Sequence, residues 1–382
     1  MIPFNKPYLT GKETEYMTLA AQSGKLSGNG DFTRKCHFYF EKRYGYRKVL
    51  LTTSCTDALE MCAILLDIRS GDEVIMPSFT FVSTANAFVL RGASIRFADS
   101  ASDCPNIDAG KIEELINSRT RAIVVVHYAG VACDMDKIME IAHKHDLFVV
   151  EDAAQAIDSY YNKRPLGSIG HLAAFSFHET KNVISGEGGM LVINDPRFLE
   201  RAEIVWEKGT NRAAFYRGEV DKYGWYDIGS SFLPSEITAA FLLAQLEQMD
   251  EIQQRRKYLW NKYFGQLKEI EENLLISFTI LPGFATNNAH QFYFVTRNTN
   301  ERAGLIACLK EHDVQAIFHY LPLHKSEYYK NLHDGRLLPE ADRFSACILR
   351  LPFFYKLSDD EINYIAQTVK EYYRTTVRRG RS

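Results

Sequence analysis

Short apolar runs alternate with helix-like segments through the first half of the chain, and this alternation constrains the fold most. The runs KVLLTT (48–53), EVIMP (73–77), AIVVVH (122–127) and LFVVE (147–151) are almost continuously apolar. Strands of this kind are typical of parallel sheets that helices cover on both faces. We therefore predict an α/β fold whose functional edge lies at the carboxyl ends of the strands.

The length of 382 residues exceeds that of one ordinary hydrophobic core, so the sequence predicts two domains. We expect a large domain with an N-terminal arm over residues 1–248. A smaller α+β domain is expected over residues 249–382, with a short strand at 316–319. The pattern also predicts a helix at 111–116 and one long helix at 235–256 that joins the two domains.

Composition excludes several classes of function. The formal net charge is only −3, so no polyanionic partner is indicated, and the basic tail at 374–382 is expected to be a solvated terminus. Seven scattered cysteines without a C-x-x-C pair argue against a disulfide framework and a zinc site. No apolar run reaches membrane-spanning length, and the first residues lack a signal-type segment. We expect a cytoplasmic protein that binds no metal, nucleic acid or membrane.

One lysine stands between two apolar segments in AAFSFHETKNVISGEGGMLVIND (173–195). Burying an ammonium group is costly unless the group is paired or neutralised, so Lys181 either points from a loop into solvent or takes part in chemistry. A desolvated lysine with a lowered pKa is a nucleophilic amine. It can form a Schiff base with an aldehyde such as pyridoxal 5′-phosphate (PLP).

A PLP site also needs a carboxylate beside the pyridinium nitrogen, and two acids follow the strand at 147–151. A buried aspartate keeps that nitrogen protonated and so keeps the ring an electron sink. Side chains alternate between the faces of a strand, so only one of Glu151 and Asp152 can face the ligand, and Asp152 is preferred. A metal site is disfavoured here because the small residues that follow supply no further ligands.

The phosphate and the ring of PLP need a cradle and a flat partner. The stretch SCTDAL (54–59) predicts a strand-to-helix turn whose free N–H groups suit an anion. Taken alone, a plain N-cap by Ser54 or Thr56 explains it better, because such caps are common and phosphate sites are not. Ser176 ends its strand and can offer a hydroxyl. Phe79 and Phe81 lie where a strand gives way to a helix, and each can either stack on a ring or join the core.

Three other stretches stand out. The glycines of GEGG (186–189) permit positive φ and close backbone approach. The aromatic, arginine-containing segment at 209–232 is too long for an ordinary loop and predicts a functional one. His319, Tyr320 and His324 form a polar-aromatic cluster with either a substrate-binding or a structural role.

Six stretches in this order resemble a known family: SCTDAL (54–59), GDEVIMPSFTFVSTANA (71–87), EDAAQA (151–156), FSFHETKN (175–182), GEGG (186–189) and HYLPLH (319–324). The chain resembles the PLP-dependent sugar aminotransferases of the DegT/DnrJ/EryC1/StrS family. That resemblance implies the type I fold of aspartate aminotransferase. This fold has a mostly parallel seven-stranded sheet in a three-layer sandwich, followed by a smaller α+β domain.

The resemblance also implies roles for individual residues. Lys181 would form the Schiff base and Asp152 would hold the pyridinium nitrogen. The remaining cofactor contacts implied are Gln155 near the ring oxygen, Phe81 on the ring, and Cys55, Thr56 and Ser176 at the phosphate. Ser231 is also implied as a phosphate contact. It stands where family members carry an asparagine that reaches the phosphate of the neighbouring subunit. His319, Tyr320 and His324 would contact the substrate.

For function, the resemblance implies transfer of an amino group from L-glutamate to C4 of a dTDP-4-keto-6-deoxyhexose. The product would be dTDP-4-amino-4,6-dideoxygalactose for a cell-surface polysaccharide, and the enzyme a homodimer with shared active sites. The gluco epimer and a C3 aminotransferase are the alternatives within the family. A PLP-dependent sugar dehydratase is disfavoured, because histidine replaces the lysine in those enzymes. A non-enzymatic sugar-binding homologue is disfavoured by the presence of Asp152, Ser176 and Lys181 together.

Overall fold

A seven-stranded sheet forms the centre of the structure, a computed structural model that describes residues 1–379. The strands of the chain are β1 (Lys48–Thr52), β2 (Glu73–Pro77), β3 (Ser94–Ala98), β4 (Thr120–Val126), β5 (Phe148–Asp152), β6 (Tyr160–Tyr161), β7 (Arg164–Pro165), β8 (Leu172–Ser176), β9 (Gly189–Ile193), β10 (Ile276–Ser277), β11 (Tyr293–Thr296) and β12 (Ile348–Arg350). The helices are α1 (Glu13–Gln22), α2 (Asp31–Tyr44), α3 (Cys55–Leu65), α4 (Val82–Val89), α5 (Met135–Lys144), α6 (Leu199–Trp206), α7 (Arg212–Tyr216), α8 (Glu236–Leu246), α9 (Met249–Glu272), α10 (Thr299–Glu311), α11 (Pro339–Cys347) and α12 (Asp359–Arg379).

The order of the large sheet is β1-β9-β8-β5-β4-β2-β3. Strands β3, β2, β4, β5 and β8 pair in parallel, whereas β9 is antiparallel to both β8 and β1. Six strands therefore run in one direction, and their carboxyl ends meet at one edge. The predicted α/β fold with a mostly parallel sheet is confirmed.

Apolar side chains are buried on both faces of this sheet, which gives three layers. Along β4, Ile123 and Val125 belong to the core under α2, α5 and α8, whereas Ala122 and Val124 belong to the core under α3, α4 and α6. Because each strand is covered on both sides, its sequence is continuously apolar and shows no alternation.

A third core and a small sheet complete the fold. Strands β10, β11 and β12 form an antiparallel sheet, and its core includes residues of α9, α10 and α12. The domain boundary between residues 248 and 249 stays a prediction. No helix among residues 1–379 is long and apolar enough to cross a membrane. The seven cysteines are free thiols.

Three local predictions were wrong or incomplete. The helix predicted at 235–256 is interrupted between α8 and α9. In place of the helix predicted at 111–116, the chain forms two short 3₁₀ turns, Ala109–Lys111 and Glu113–Leu115. Residues 316–319 contribute one bridge, between Ile317 and Arg350, and no strand. The prediction of a solvated tail at 374–382 stays a prediction: α12 includes the tail up to Arg379, and residues 380–382 lie outside the described residues. Tertiary packing outweighs local propensity at such short segments.

Candidate active site

A cavity of about 610 Å³ opens at the carboxyl-end edge of the large sheet. Residues that follow β1, β2, β4, β5 and β8 line one side of it, and residues near β11 and β12 line the other. Its lining residues are Phe4, Asn5, Ser54, Cys55, Thr56, Leu59, Thr80, Phe81, Ser83, Val126, Asp152, Ala154, Gln155, Ser176, His178, Thr180, Lys181, Glu187, His290, Gln291, His319, Tyr320, Arg350 and Phe353. A cleft at this edge is where open α/β sheets bind ligands.

Asp152 ends β5 and carries the buried carboxylate of the cavity. Its Oδ2 accepts a hydrogen bond from Thr84 Oγ1 at 2.6 Å, and its Oδ1 accepts one from the Ala154 N–H at 3.2 Å. Burial raises the pKa of Asp152, while these bonds and the nearby Lys181 act against that rise. The carboxylate retains acceptor capacity toward a ligand.

The preceding acid, Glu151, lies on the other face of the strand and does not line the cavity. Its carboxylate accepts hydrogen bonds from His127 Nε2 at 3.0 Å and from the N–H groups of Gly167, Ile169 and Gly170 at 2.6–2.8 Å. The alternation of side chains along β5 therefore directs Asp152 to the cavity and Glu151 into the protein.

Lys181 lies in the turn between β8 and β9 and lines the same cavity as Asp152. Within the described part of the chain, the ammonium group of Lys181 forms no hydrogen bond or ion pair. Burial lowers the pKa of Lys181, and the charge of Arg350 lowers it further, whereas Cys55 and Asp152 act in the opposite direction. A larger fraction of this amine is therefore neutral and nucleophilic than in an exposed lysine.

Buried polar contacts hold the chain beside Lys181. Asn182 Nδ2 donates to Gln253 Oε1 and to the carbonyl of Asn288, both at 2.9 Å, and its Oδ1 accepts from His290 Nδ1 at 2.9 Å.

Gly189, the first residue of β9, permits this strand to approach α3, because an added Cβ would lie 2.3 Å from the carbonyl carbon of Ser54. Of the predicted GEGG glycines, Gly186 has a positive φ, of 81°.

The N-terminus of α3 lies at the cavity and brings free backbone N–H groups to it. Ser54 is the N-cap, and its Oγ accepts from the Asp57 N–H at 3.1 Å. Thr56 Oγ1 donates to Ser83 Oγ at 2.8 Å, and Ser176 Oγ accepts from the His178 N–H at 3.3 Å. Together the helix terminus and these hydroxyls provide the donors that a phosphate requires.

Aromatic and amide side chains border the other part of the cavity. Phe81 is 55% exposed and lies at its mouth, whereas Phe79 is buried in the core. Gln155 Oε1 accepts from the Ala129 N–H at 2.6 Å, and Gln155 Nε2 donates to the Tyr320 hydroxyl at 3.0 Å. His319 lines the cavity beside Tyr320.

Two of the predicted site residues lie elsewhere. Ser231 is exposed and lines a separate groove formed by residues near 25–34 and 207–217, so it does not reach this cavity within one chain. His324 is buried behind the site, where its Nδ1 bonds Ser78 Oγ at 2.7 Å and its Nε2 lies 3.5 Å from Asp342. His324 does not line the cavity, because both of its ring nitrogens contact side chains outside it; its substrate role stays a prediction that this cavity does not support.

Sequence reasoning missed Arg350, which lines the cavity together with Gln291 and His290. Its Nη1 donates to Gln291 Oε1 at 2.9 Å and to His319 Nε2 at 3.1 Å, and its guanidinium carbon lies 4.5 Å from the centre of the Phe4 ring. The arginine that ends the short apolar run ILR (348–350) was the only available signal in the sequence.

These groups fit PLP. The amine of Lys181 suits an aldehyde, the partly satisfied carboxylate of Asp152 suits a protonated ring nitrogen, and the N-terminus of α3 with Ser176 suits a phosphate. The described residues contain no cluster of three or more His, Cys, Asp or Glu side chains that could hold a metal ion.

Comparisons with known proteins identify the family. The DegT/DnrJ/EryC1/StrS aminotransferase family matches residues 7–370. The chain is 31% identical to the spore coat polysaccharide biosynthesis protein SpsC of Bacillus subtilis, over 97% of this chain and 96% of that protein. It is also 31% identical to the GDP-perosamine synthase of Escherichia coli O157:H7, over 97% of this chain and 98% of that enzyme.

A solved structure extends the similarity to the cofactor. The PLP form of Spr1654 from Streptococcus pneumoniae superposes with a TM-score of 0.89 at 26% identity, over 98% of this chain and 99% of that one. The predicted family, fold, enzyme class and cofactor are confirmed. The chain belongs to the DegT/DnrJ/EryC1/StrS aminotransferase family and is a PLP-dependent sugar aminotransferase.

Proposed function

We propose that this aminotransferase moves the amino group of L-glutamate to C4 of a dTDP-4-keto-6-deoxyhexose and forms dTDP-4-amino-4,6-dideoxygalactose. The Cα–N and Cα–H bonds of glutamate are replaced by the C=O bond of 2-oxoglutarate, and the C4=O bond of the sugar is replaced by C4–N and C4–H. The α-carbon is oxidised as C4 is reduced, so no outside oxidant or reductant is consumed. The observation that carries the proposal is the presence of Lys181 and Asp152 in one cavity.

Lys181 is proposed to hold PLP covalently and to act as the base of the reaction. Its lowered pKa favours the neutral amine, which can take the proton from Cα of the donor and deliver a proton to C4 of the sugar. PLP, when bound, supplies an electron sink for the negative charge that develops at the reacting carbon. The two substrates react in succession at the same lysine, which predicts ping-pong kinetics.

The other cavity residues are proposed to bind and orient. Asp152, held by Thr84 and Ala154, keeps the ring nitrogen protonated, and Phe81 covers the ring. Cys55, Thr56 and Ser176 bind the phosphate at the N-terminus of α3. Gln155 lies near the ring oxygen, and His319 and Tyr320 contact the substrate on the opposite wall.

The proposal of a C4-keto, dTDP-linked sugar is supported by the sequence resemblance. The GDP-perosamine synthase among the relatives carries a different nucleotide in its name, so the nucleotide is the part of the proposal that most needs a direct test. The product is proposed to enter a cell-surface polysaccharide, as the name of SpsC indicates for that relative.

A homodimer with shared active sites is also proposed. The segment that precedes Ser231 exposes four aromatic residues, namely Tyr216, Tyr223, Trp225 and Tyr226. Exposed aromatic groups of this density are typical of protein interfaces. In a dimer, Ser231 on this segment could contact the phosphate in the partner's cavity, which it does not reach in its own chain.

Incubation of the PLP-loaded protein with L-glutamate and dTDP-4-keto-6-deoxyglucose tests the function. We expect release of 2-oxoglutarate and a 4-amino sugar nucleotide whose NMR couplings show the galacto configuration at C4. A parallel reaction with GDP-4-keto-6-deoxymannose tests the nucleotide, and a 3-keto sugar nucleotide tests the position.

Each result has a distinct meaning. The gluco epimer or a 3-amino product would overturn the exact sugar while leaving the aminotransferase class intact. Preference for the GDP sugar would overturn the assigned nucleotide. Failure to transfer an amino group from glutamate to any of these sugars would overturn the proposed reaction.

A further inference from the structure

His290 lines the cavity, and buried side chains fix its backbone there. Its N–H donates to Asn288 Oδ1 at 3.0 Å, and its carbonyl accepts from Arg256 Nη2 at 2.6 Å. The amide of Asn288 is held in turn, because its Nδ2 donates to the carbonyls of Gln155 and Ile157, both at 2.8 Å. His290 is only 7% exposed. The position of its imidazole in the cavity wall is therefore well defined.

The buried amide of Asn182 determines which ring nitrogen of His290 carries a proton. Asn182 Nδ2 donates to the main-chain carbonyl of Asn288 and to Gln253 Oε1, both at 2.9 Å. Because a main-chain carbonyl can only accept, the orientation of the amide is settled and its Oδ1 is an acceptor. This oxygen lies 2.9 Å from His290 Nδ1, so Nδ1 carries a proton and donates the hydrogen bond.

The surroundings of His290 keep its ring neutral. Burial, followed by the charge of Lys181, holds the pKa of His290 well below its usual range. The other charged or titratable groups that act on the ring, Arg256, Arg350 and His319, lower that pKa further. A neutral ring has one proton, and this proton is on Nδ1. His290 can therefore accept a hydrogen bond through Nε2 but cannot donate one there.

The Nε2 of His290 is a free acceptor at the cavity. It has no hydrogen-bond partner in the described part of the chain. Since it is also not one of the buried polar atoms that lack a partner, it is accessible from the cavity that the ring lines. Lys181 lines the same cavity, and its ammonium is a donor without a hydrogen bond within residues 1–379. The free acceptor and the free donor complement each other.

A neutral acceptor suits a lysine that transfers protons. In the proposed reaction the amine of Lys181 takes a proton from Cα of the donor and delivers one to C4 of the sugar, so it alternates between the neutral and the charged form. A carboxylate bonded to the ammonium would stabilise the charged form and oppose its return to the neutral amine. A neutral imidazole fixes the direction of one N–H with a smaller effect on that balance.

We propose that His290 is a positioning residue of the reaction: its Nε2 accepts a hydrogen bond from the amine of Lys181 and so directs that amine toward the reacting carbon. The inference rests on the proposed function, because it takes Lys181 as the base. Asn182 follows Lys181 directly and bonds the imidazole, so the ring and the lysine backbone are fixed relative to each other. The proton taken from Cα stays on Lys181 until it is delivered, and His290 neither gains nor loses one.

Two substitutions separate this role from a purely structural one. His290→Asn places its amide NH₂ where Nδ1–H lies, so the bond to Asn182 is kept and the acceptor at Nε2 is removed. His290→Gln brings its amide to the position of Nε2, so an acceptor is kept and the bond to Asn182 is lost. The positioning role and the structural role therefore predict opposite orders for the two variants.

Competitive acetylation of the PLP-free protein with acetic anhydride over a series of pH values, read by peptide mass spectrometry, measures the apparent pKa of Lys181. Exposed Lys310 is the internal reference. His290→Asn should lower the pKa of Lys181 by about one pH unit, because the ammonium loses an acceptor. His290→Gln should stay within about half a unit of the wild type. The other groups whose charge acts on Lys181 are the same in both variants, namely Cys55, Asp152 and Arg350.

The glutamate half-reaction of the PLP-loaded protein supplies a kinetic measurement. In His290→Asn its rate at saturating glutamate should fall about 10- to 100-fold, with the KM for glutamate changed by less than about threefold. The isotope effect with glutamate deuterated at Cα should rise, since proton transfer then limits the rate more strongly. The rate of His290→Gln should lie within about tenfold of the wild type.

His171→Asn is the matched control. His171 is another imidazole whose pKa is lowered by burial, but it lies outside the cavity, and its Nδ1 accepts from the Val149 N–H at 2.9 Å. The same substitution at this position should leave the acetylation of Lys181 and the half-reaction unchanged.

Wild-type acetylation of Lys181 and a wild-type isotope effect in a folded His290→Asn variant would overturn the inference. Loss of the half-reaction in His290→Gln alone would also overturn it, because the imidazole would then only hold Asn182. If His290→Asn does not fold, a fall of a full pH unit in the pKa of Lys181 in His290→Gln would overturn it. A wild-type protein that takes no amino group from glutamate would overturn the proposed function, whereas the acetylation series needs no substrate and would still decide whether His290 acts on Lys181.

Discussion

Two buried carboxylates that are adjacent in the sequence, Glu151 and Asp152, occupy opposite environments. Glu151 accepts four hydrogen bonds, from His127 and three backbone N–H groups, whereas Asp152 accepts two. Burial raises the pKa of each. For Glu151 the hydrogen bonds outweigh burial and its pKa is lowered, whereas for Asp152 burial dominates and its pKa is raised.

This difference separates a structural cluster from a reactive one. The Glu151 cluster is complete, since the loop at 167–170 and His127 satisfy its oxygens. The cavity around Asp152 is incomplete: the Nε of Arg350 is buried without an acceptor in the described part of the chain, and Lys181 lines the same cavity. Buried polar groups are normally hydrogen-bonded, so incomplete ones concentrate where a ligand binds.

The largest expected effect is on catalysis, at the incomplete cavity. Lys181→Ala should lower the turnover of glutamate at least about 10⁴-fold, because it removes both the proposed tether and the proposed base. The rate of 2-oxoglutarate release measures this. Its free energy of unfolding should stay near that of the wild type, because the ammonium makes no hydrogen bond in the described chain.

Lys310→Ala serves as the control for that change, because Lys310 is exposed on α10, outside the cavity. Its turnover should match the wild type. Retained turnover in the Lys181 variant would show that the lysine has no catalytic role.

Asp152→Asn should lower turnover by roughly 10²- to 10⁴-fold, because a neutral amide no longer holds the ring nitrogen protonated. The free energy of unfolding should change by only about 1 kcal/mol, since the amide oxygen can still accept a hydrogen bond. Steady-state kinetics and urea denaturation on the same preparation check both parts. A near-wild-type rate would assign the ring nitrogen to another group.

Glu151→Gln should have the reverse profile. The amide of the new glutamine has one oxygen and one NH₂ group, so it cannot accept from all of the N–H donors that the carboxylate of Glu151 accepts from. The free energy of unfolding should therefore fall by about 3 kcal/mol. Turnover of the folded fraction should change little. Glu114→Gln, at an exposed position, should shift stability by less than about 0.5 kcal/mol. A Glu151 variant that is stable but inactive would reverse the assignment of the two acids.

The smallest expected effect is a difference in pH dependence. A lowered folded pKa makes Glu151 stabilising above its ordinary value of 4.5, and that contribution is lost as the pH falls through the folded value. The raised pKa of Asp152 makes its contribution fullest below 3.8, and that contribution is lost as the pH rises through the folded value.

The stability of the wild type relative to Glu151→Gln should therefore decrease from about pH 7 to about pH 3, whereas its stability relative to Asp152→Asn should increase. Urea denaturation across this range measures both differences. Parallel slopes would show that the two carboxylates experience the same environment.

Much of the fold was predictable from the sequence, because a parallel sheet buried on both faces requires continuous apolar strands. Residues 122–127 show this pattern, and β4 occupies Thr120–Val126. Alternation along β5 also predicted that only one of Glu151 and Asp152 can face the cavity. Short segments were less predictable: the break between α8 and α9 and the lost strand at 316–319 depend on packing partners distant in sequence.

The sequence by itself predicted one wall of the cavity, because the stretches 54–59, 151–156 and 175–182 each lie at the carboxyl end of a strand of one sheet or directly after it. Strand direction alone brings such residues to a common edge. Only the tertiary structure decided the opposite wall. Arg350 and Lys181 line the same cavity although they are far apart in the sequence, whereas His324, five residues after His319, bonds Ser78 outside that cavity. No local pattern records those distances, since they arise when separate parts of the chain pack together.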